Sequence, residues 1–420
     1  MTQDEILEAA FKIAKTLCRD AIWDGDRCNW LGPANDVFFG AVLRGYGALG
    51  PNVYDGTAGI SLFLAQVAKR TRDPIVTRTA IGAAQHAVQQ HQDCPATVAL
   101  SFYTGHIGIG YAAVQVGQLL GHPDLVTRGR DLILATLNRD HPTTCLLDVM
   151  LGTAASIPAL IAIQDVLGAT TIKEPLLAWG TRILLAADDT AFGLSWDTSS
   201  EMKTNAGDVD WLDADHPNLL GYAHGASGIG LALIELGVAF DRADFIRAGK
   251  RAFAYEDSWF DQVHQVWPDL RYHNDPTAKQ VTCVAWCHGA VGIGLARLRA
   301  DALLMDNAFS AQIDTAKDAV IRALGDRLKP DTNMCLCHGV MGDMDLIIAL
   351  GQSHRTAKLI TDCATLVRTE FLDQDRPLPY GGGDSHCPPG LMLGLAGTGY
   401  GLLRLLKENR PASLLCVGAA

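Results

Sequence analysis

Two Cys-His pairs, Cys287-His288 and Cys337-His338, carry the densest metal-binding chemistry in this chain. Both sit inside the same short phrase, CHGAVG and CHGVMG. Thiolate sulfur and imidazole nitrogen are zinc donors. Two sulfurs with one imidazole leave the fourth tetrahedral position open, as in catalytic rather than closed structural sites. A lone Cys-His would say little, because buried cysteine commonly packs as a small hydrophobe. The same pair at the same place in a repeated phrase points to Zn²⁺. The residues alone do not choose between His288 and His338. Cys283, Cys335, and His386 with Cys387 in GGGDSHCPPG, are competing ligands.

The phrase recurs without cysteine as AHGASG, where His224 holds the position next to the glycine. That places a candidate proton donor or acceptor beside the metal position. Asp148, in LLDVMLG, precedes the glycine of another copy by four residues. A carboxylate in so apolar a stretch is costly unless paired. It is either a second acid/base group or a helix-capping residue.

These residues need a scaffold that brings distant repeats to one place. The phrase occurs seven times, with first glycines at Gly56, Gly105, Gly152, Gly225, Gly289, Gly339 and Gly394, 47 to 73 residues apart. Each copy opens an apolar stretch such as IGLALIELG, and amphipathic stretches such as DLVTRGRDLILATL lie between copies. Stretches apolar all round are enclosed helices, and amphipathic ones are surface helices. Nowhere is a strand-like alternation long enough to compete. One enclosed and one amphipathic helix, repeated seven times, predicts an all-α, α/α toroid of seven inner and seven outer helices, with an open solenoid as the alternative. In a closed ring, equivalent positions face one rim, so Cys287, Cys337 and a histidine converge. Glycine or alanine at i and i+3 of each copy is expected to let neighbouring backbones approach.

The toroid is expected to occupy residues 1–420 as a single domain, with longer insertions at 192–220 and 258–281 that carry Trp196, Trp211, Trp259 and Trp267. Long insertions in repeat proteins gather on one face, often the binding face. The alternative is that these tryptophans anchor the loops.

A net charge of −12 argues against a nucleic-acid partner. The opening TQDEILEAAFKIAKTL is an acidic amphipathic helix with no signal core. The uncharged stretch 95–123 contains histidine, glutamines and glycines, and reads as a buried helix rather than a membrane span. Eleven cysteines without a disulfide framework suit a reducing cytoplasm.

Taken together, the seven glycine phrases, WCHG, LCHG, AHG and the closing PGLMLGLAGTGYGLLRL resemble the lanthionine synthetase C-like (LanC-like) family. The resemblance covers nearly the whole chain. YDGTAGISLFLAQVA and the closing stretch are most similar to the cyclase half of class II (LanM-type) lanthipeptide synthetases. It implies a bacterial cytoplasmic, zinc-dependent cyclase that adds peptide cysteine thiols to dehydroalanine or dehydrobutyrine. It implies Zn²⁺ on Cys287, Cys337 and His338, with His224 and Asp148 as acid/base residues. The implied partners are a dehydrated precursor peptide and a separate dehydratase or kinase/lyase, the chain being a stand-alone cyclase or one half of a larger synthetase. Two departures stand out. Ala155 replaces the usual second glycine of the third copy, a loss a helix should tolerate. Cys283 stands where some cyclases carry a basic residue, four before the first zinc cysteine, which puts an enolate-stabilising role of that position in doubt.

Three other activities bear on the same residues. Addition of glutathione or another free thiol to dehydrated peptides would use the same zinc. A non-catalytic peptide-binding scaffold would not need to keep the metal. A toroidal glycosidase would want paired carboxylates at the rim, where this chain has cysteine and histidine.

Overall fold

The computed structural model describes residues 1–38, 41–142, 146–200, 216–274, 283–351, 353–380 and 387–418. Its helices are α1 (Gln3–Asp20), α2 (Thr57–Thr71), α3 (Pro74–Gln89), α4 (His106–Leu120), α5 (Pro123–Leu137), α6 (Ser156–Ala162), α7 (Gln164–Leu167) and α8 (Ala169–Leu185). They continue with α9 (Ala226–Ala239), α10 (Ala243–Ser258), α11 (Ala290–Leu304), α12 (Ser310–Arg327), α13 (Val340–Ala349), α14 (His354–Leu366) and α15 (Leu395–Arg404). The helices that follow the glycine phrases are α2, α4, α6, α9, α11, α13 and α15. Each contacts the next, and α15 returns to α2, so the inner ring is closed. The outer ring is α1, α3, α5, α8, α10, α12 and α14, with α1 packed on α15.

Burial explains the division. Helix α9 buries all twelve residues from Ala226 to Gly237, whereas α5 buries only Leu125, Gly129, Ile133 and Thr136, one stripe at helical spacing. Each fully buried leucine, isoleucine or phenylalanine contributes about 1.5–3 kcal/mol.

The rim closes through the backbone. The residue two before each first glycine links one repeat to the next. Tyr54 N–H donates to Tyr103 O (2.9 Å), Met392 N–H to Tyr54 O (2.7 Å) and Cys337 N–H to Met392 O (3.0 Å). Cys287 N–H then donates to Cys337 O (3.4 Å), Ala223 N–H to Cys287 O (3.1 Å) and Met150 N–H to Ala223 O (3.0 Å). The last gap, from Met150 back to the second repeat, is bridged by side chains: Ser101 Oγ and Thr104 Oγ1 donate to Met150 O at 2.9 and 3.4 Å. An open solenoid has no such circuit.

The second glycine admits the neighbouring repeat, as expected, and also its own loop: a Cβ on Gly59, Gly228 or Gly292 would lie 2.4–2.7 Å from Leu391, Val149 or Tyr222 of the adjacent repeat. A Cβ on Gly59, Gly108, Gly228, Gly292, Gly342 or Gly397 would lie 1.6–2.1 Å from the carbonyl oxygen six residues earlier, just ahead of the phrase. The rim loop therefore folds back over its own helix start. In the third repeat this position is Ala155, whose backbone is already helical (φ −71°, ψ −21°), and α6 spans from Ser156, where the other inner helices begin directly after their first glycine.

Strands occur despite the weak alternation. Leu31–Phe38 (β3) pairs antiparallel with Ala41–Ala48 (β4), from Leu31↔Ala48 to Phe38↔Ala41. Two short hairpins, Ile22–Asp24 (β1) with Arg27–Asn29 (β2) and Asp188–Thr190 (β5) with Gly193–Ser195 (β6), complete the described strands. The indole N–H of buried Trp196 donates to Ile183 O (2.8 Å), and Trp267 is also buried, so both anchor their insertions. Trp211 lies outside the described residues.

Residues 411–418 fill the middle of the ring. Leu414, Leu415, Cys416 and Val417 are buried. Tyr103 Oη donates to Leu414 O (2.6 Å) and Trp286 Nε1 to Leu415 O (2.8 Å). Trp286 also meets the rings of Tyr103 and Tyr222 at 5.4 and 5.6 Å. Aromatic residues from three repeats can meet only on the axis, and they form a floor beneath the rim loops.

Candidate metal centre and its rim

The rim circuit carries Cys287 and Cys337 as consecutive links, and His338 follows the second of them. One donor atom from each of Cys287, Cys337 and His338 lies within 4.8 Å of the others. Among the described residues, no other group of three or more histidine, cysteine or acidic side chains converges in this way. The donor set suits zinc: two sulfurs and one imidazole, one short of the four that zinc takes. His288 is not part of this group. It is buried, and burial, then the charge of Arg271, holds its pKa well below the usual histidine value.

The two thiols interact directly. A hydrogen bond shared with Cys337, followed by burial, raises the Cys287 pKa well above that of a free thiol, while Arg271 pulls it down. Cys335, outside the converging group, supports it: the His338 N–H donates to Cys335 Sγ at 3.4 Å. The Cys335 sulfur also hydrogen-bonds the His338 ring and raises its pKa, with burial opposing. Arg327 donates to His338 O (2.9 Å) and pairs with buried Asp343 (2.8 Å). Cys283 lies near Cys287, and burial pushes its pKa up to about 12. Burial likewise pushes Cys387 up to about 12, with Cys335 adding to the effect. His386 lies outside the described residues.

His224 projects from the rim of the fourth repeat, its ring centroid 5.7 Å from that of His288. His224 Nδ1 lies 2.6 Å from Asp148 Oδ2, and Asp148 is 1% exposed. The other carboxylate oxygen, Oδ1, accepts the Leu151 N–H at 2.7 Å. Asp148 thus both caps a turn and orients the imidazole. Thr198, from the first insertion, donates to His224 O (2.7 Å) and fixes the backbone behind the ring.

Sequence reasoning missed two neighbours of the site. Tyr54 Oη donates to Cys337 Sγ at 3.3 Å. Its signal was available, because Tyr54 occupies the repeat position of Cys287 and Cys337, two before the first glycine. Arg271, in the second insertion, is gripped by the fully covered carboxylate of Asp269, with Nε 3.0 Å from Oδ1. Its charge acts on Cys287, Cys283, His288 and His338. No repeat register marks it, so no sequence signal could have singled it out.

A ring of seven inner and seven outer helices, with a Cys-Cys-His group and a His-Asp pair on one rim, narrows the class. The family of lanthionine synthetase C-like proteins matches residues 47–416, and this chain belongs to it. The lacticin 481/lactococcin biosynthesis protein of Lactococcus lactis subsp. lactis is 27% identical over 214 residues, covering 47% of this chain and 22% of that protein. The chain therefore matches about a fifth of that relative's length. The structure of nisin cyclase aligns with a TM-score of 0.62 at 15% identity, covering 86% of this chain and 89% of that one.

Proposed function

We propose that this chain is a zinc-dependent lanthipeptide cyclase that closes (methyl)lanthionine rings by adding peptide cysteine thiols to dehydroalanine or dehydrobutyrine. The observation that carries this reading is the convergence of Cys287, Cys337 and His338 within 4.8 Å on the rim that also presents His224. Zinc held by these three residues would acidify the substrate thiol, whose free pKa of roughly 8.5 makes it a poor nucleophile at neutral pH.

The chain's own residues account for the rest. Asp148 takes the Nδ1 side of His224 and leaves Nε2 to exchange the proton. Attack of sulfur on the β-carbon moves the alkene pair into an enolate. His224 then delivers a proton to the α-carbon, and the thioether is complete. Arg271, brought to this neighbourhood by the second insertion, supplies the positive charge for the enolate oxygen that Cys283 cannot.

The dehydrated precursor peptide would come from a dehydratase activity. No helix among the described residues is long and apolar enough to cross a membrane. The test is to purify the protein, measure its zinc, and follow free cysteine thiols in a dehydrated precursor by alkylation and mass spectrometry. Thiol loss that requires metal supports the reading. Unchanged thiols in the presence of bound zinc overturn it.

A further inference from the structure

The proposed reaction sets the protein a problem of selectivity. Its substrate is an electron-poor alkene brought to a rim that already holds the sulfurs of Cys287 and Cys337. Either sulfur attacking the β-carbon would join the enzyme covalently to its peptide. A sulfur that accepts a hydrogen bond gives up electron density to the donor and becomes a weaker nucleophile, and outer residues of this kind tune metal ligands generally.

Cys337 is the sulfur with such a donor. Tyr54 Oη points at its Sγ from 3.3 Å, and the phenol reaches it from the first repeat across the rim. The Tyr54 backbone is fixed on both sides, its N–H donating to Tyr103 O and its carbonyl accepting from Met392 N–H. This side chain is therefore not an adaptable surface phenol. It is held at the repeat position where the fifth and sixth copies carry cysteine, and turned toward one of those cysteines. Tyr103, its counterpart in the second repeat, spends its hydroxyl on Leu414 O in the floor. The contact with sulfur is thus particular to Tyr54. Cys287 shares a hydrogen bond with Cys337 and lies near the positive charge of Arg271, with no phenol hydrogen-bonded to its sulfur among the described residues.

We propose that Tyr54 protects Cys337 from alkylation, so that the alkene reacts with the substrate thiol and not with this sulfur. Tyr54 is a positioning residue acting through Cys337. The inference rests on the cyclase reading for its substrate, while the protection itself is a property of the protein that can be measured without turnover.

The experiment uses N-ethylmaleimide, an electron-poor alkene, on the purified full chain. Sulfur adds to one alkene carbon, the π pair moves onto the carbonyl as an enolate, and water protonates it. No oxidant or leaving group is involved. Wild type and Tyr54→Phe, each assayed for zinc, are labelled over time, and the Cys337, Cys287 and Cys363 peptides are quantified by mass spectrometry. The expected result is labelling of Cys337 at least about 10-fold faster in Tyr54→Phe, the scale of outer-residue effects, with Cys287 and buried Cys363 unchanged. Equal Cys337 rates in the two proteins overturn the proposal. So does a common rise at all three cysteines, which would mean loosened packing. The Tyr54→Trp variant, which keeps an aromatic ring but alters the donor, should also expose Cys337, and failure to do so counts against the proposal. Absence of zinc from wild type would sink the zinc reading, yet the comparison of labelling rates would still decide the role of Tyr54.

Discussion

His224 and Asp148 lie 76 residues apart in sequence and 2.6 Å apart in space, Nδ1 to Oδ2. On the proposed reading the histidine exchanges the proton and the carboxylate orients it, so the two should act as one unit. His224→Asn should keep one equivalent of zinc and slow ring closure by about 10²–10⁴-fold, the usual scale of acid–base catalysis. Asp148→Asn should cost less, and the double variant little more than His224→Asn alone, because groups that act as a unit are not additive. Single-turnover cyclisation rates, with metal analysis of each protein, check this. Additive losses would show that the two act independently.

Metal content should follow the converging group. Cys287→Ala and Cys337→Ala each leave two protein donors and should lose zinc, while His338→Asn should bind it at least about 10-fold more weakly. His288→Asn should retain it, since His288 is not in the group. Elemental analysis after dialysis decides the matter. Zinc retained by either alanine variant would exclude that cysteine as a ligand.

Acid should weaken the fold through His106, just inside α4. Its Nε2 is buried without a hydrogen-bond partner. Burial, then the neighbouring His91, lowers its pKa from 6.5 to about 4. Between those values the unfolded chain binds a proton that the folded chain refuses. Stability should therefore be fully present above pH 6.5, fall as pH drops through this window and level off below about 4. Urea midpoints measured at several pH values should show this slope in wild type and a flatter one in His106→Gln.

Beneath the rim, Glu256 and Arg297 form a fully buried pair at 2.8 Å, and Glu256 Oε1 accepts the Gly221 N–H at 2.6 Å. Glu256→Ala removes the shorter of the two carboxylate partners of buried Arg297, leaving Asp257 at 3.2 Å, and should cost up to about 3 kcal/mol in chemical denaturation. It also unties the loop leading to His224, so cyclisation should slow even under conditions where the protein is folded.

The parts of the molecule written as repeats were legible in the sequence. Seven glycine phrases and two helix types specify a ring, and the shared register of Cys287 and Cys337 specifies that they meet. What the repeat does not encode stayed hidden. The hairpin of β3 and β4 contains glycine, proline, asparagine and aspartate, residues that obscure strand alternation. Ala155 reads as a mild substitution, and the spacing alone did not show that the α6 span begins at the next residue, Ser156. Tyr54 acts through a hydroxyl that reaches across the rim, and Arg271 through an insertion with no counterpart elsewhere in the ring. Register predicts which backbones are equivalent, but not how far a side chain extends.

The segment at residues 411–418 has a consequence for synthesis. Its leucines, cysteine and valine occupy the axis, bonded to Tyr103 of the second repeat and Trp286 of the fifth. Repeats that emerge early from the ribosome can pair with their neighbours, but their axial faces have nothing to close on until this segment has left the exit tunnel. The ring is thus assembled around an element made after all seven repeats. Its final cooperative step waits for residues 411–418 to leave the exit tunnel, and a nascent chain stalled before residue 411 would expose the apolar floor to whatever chaperone or aggregate is nearest.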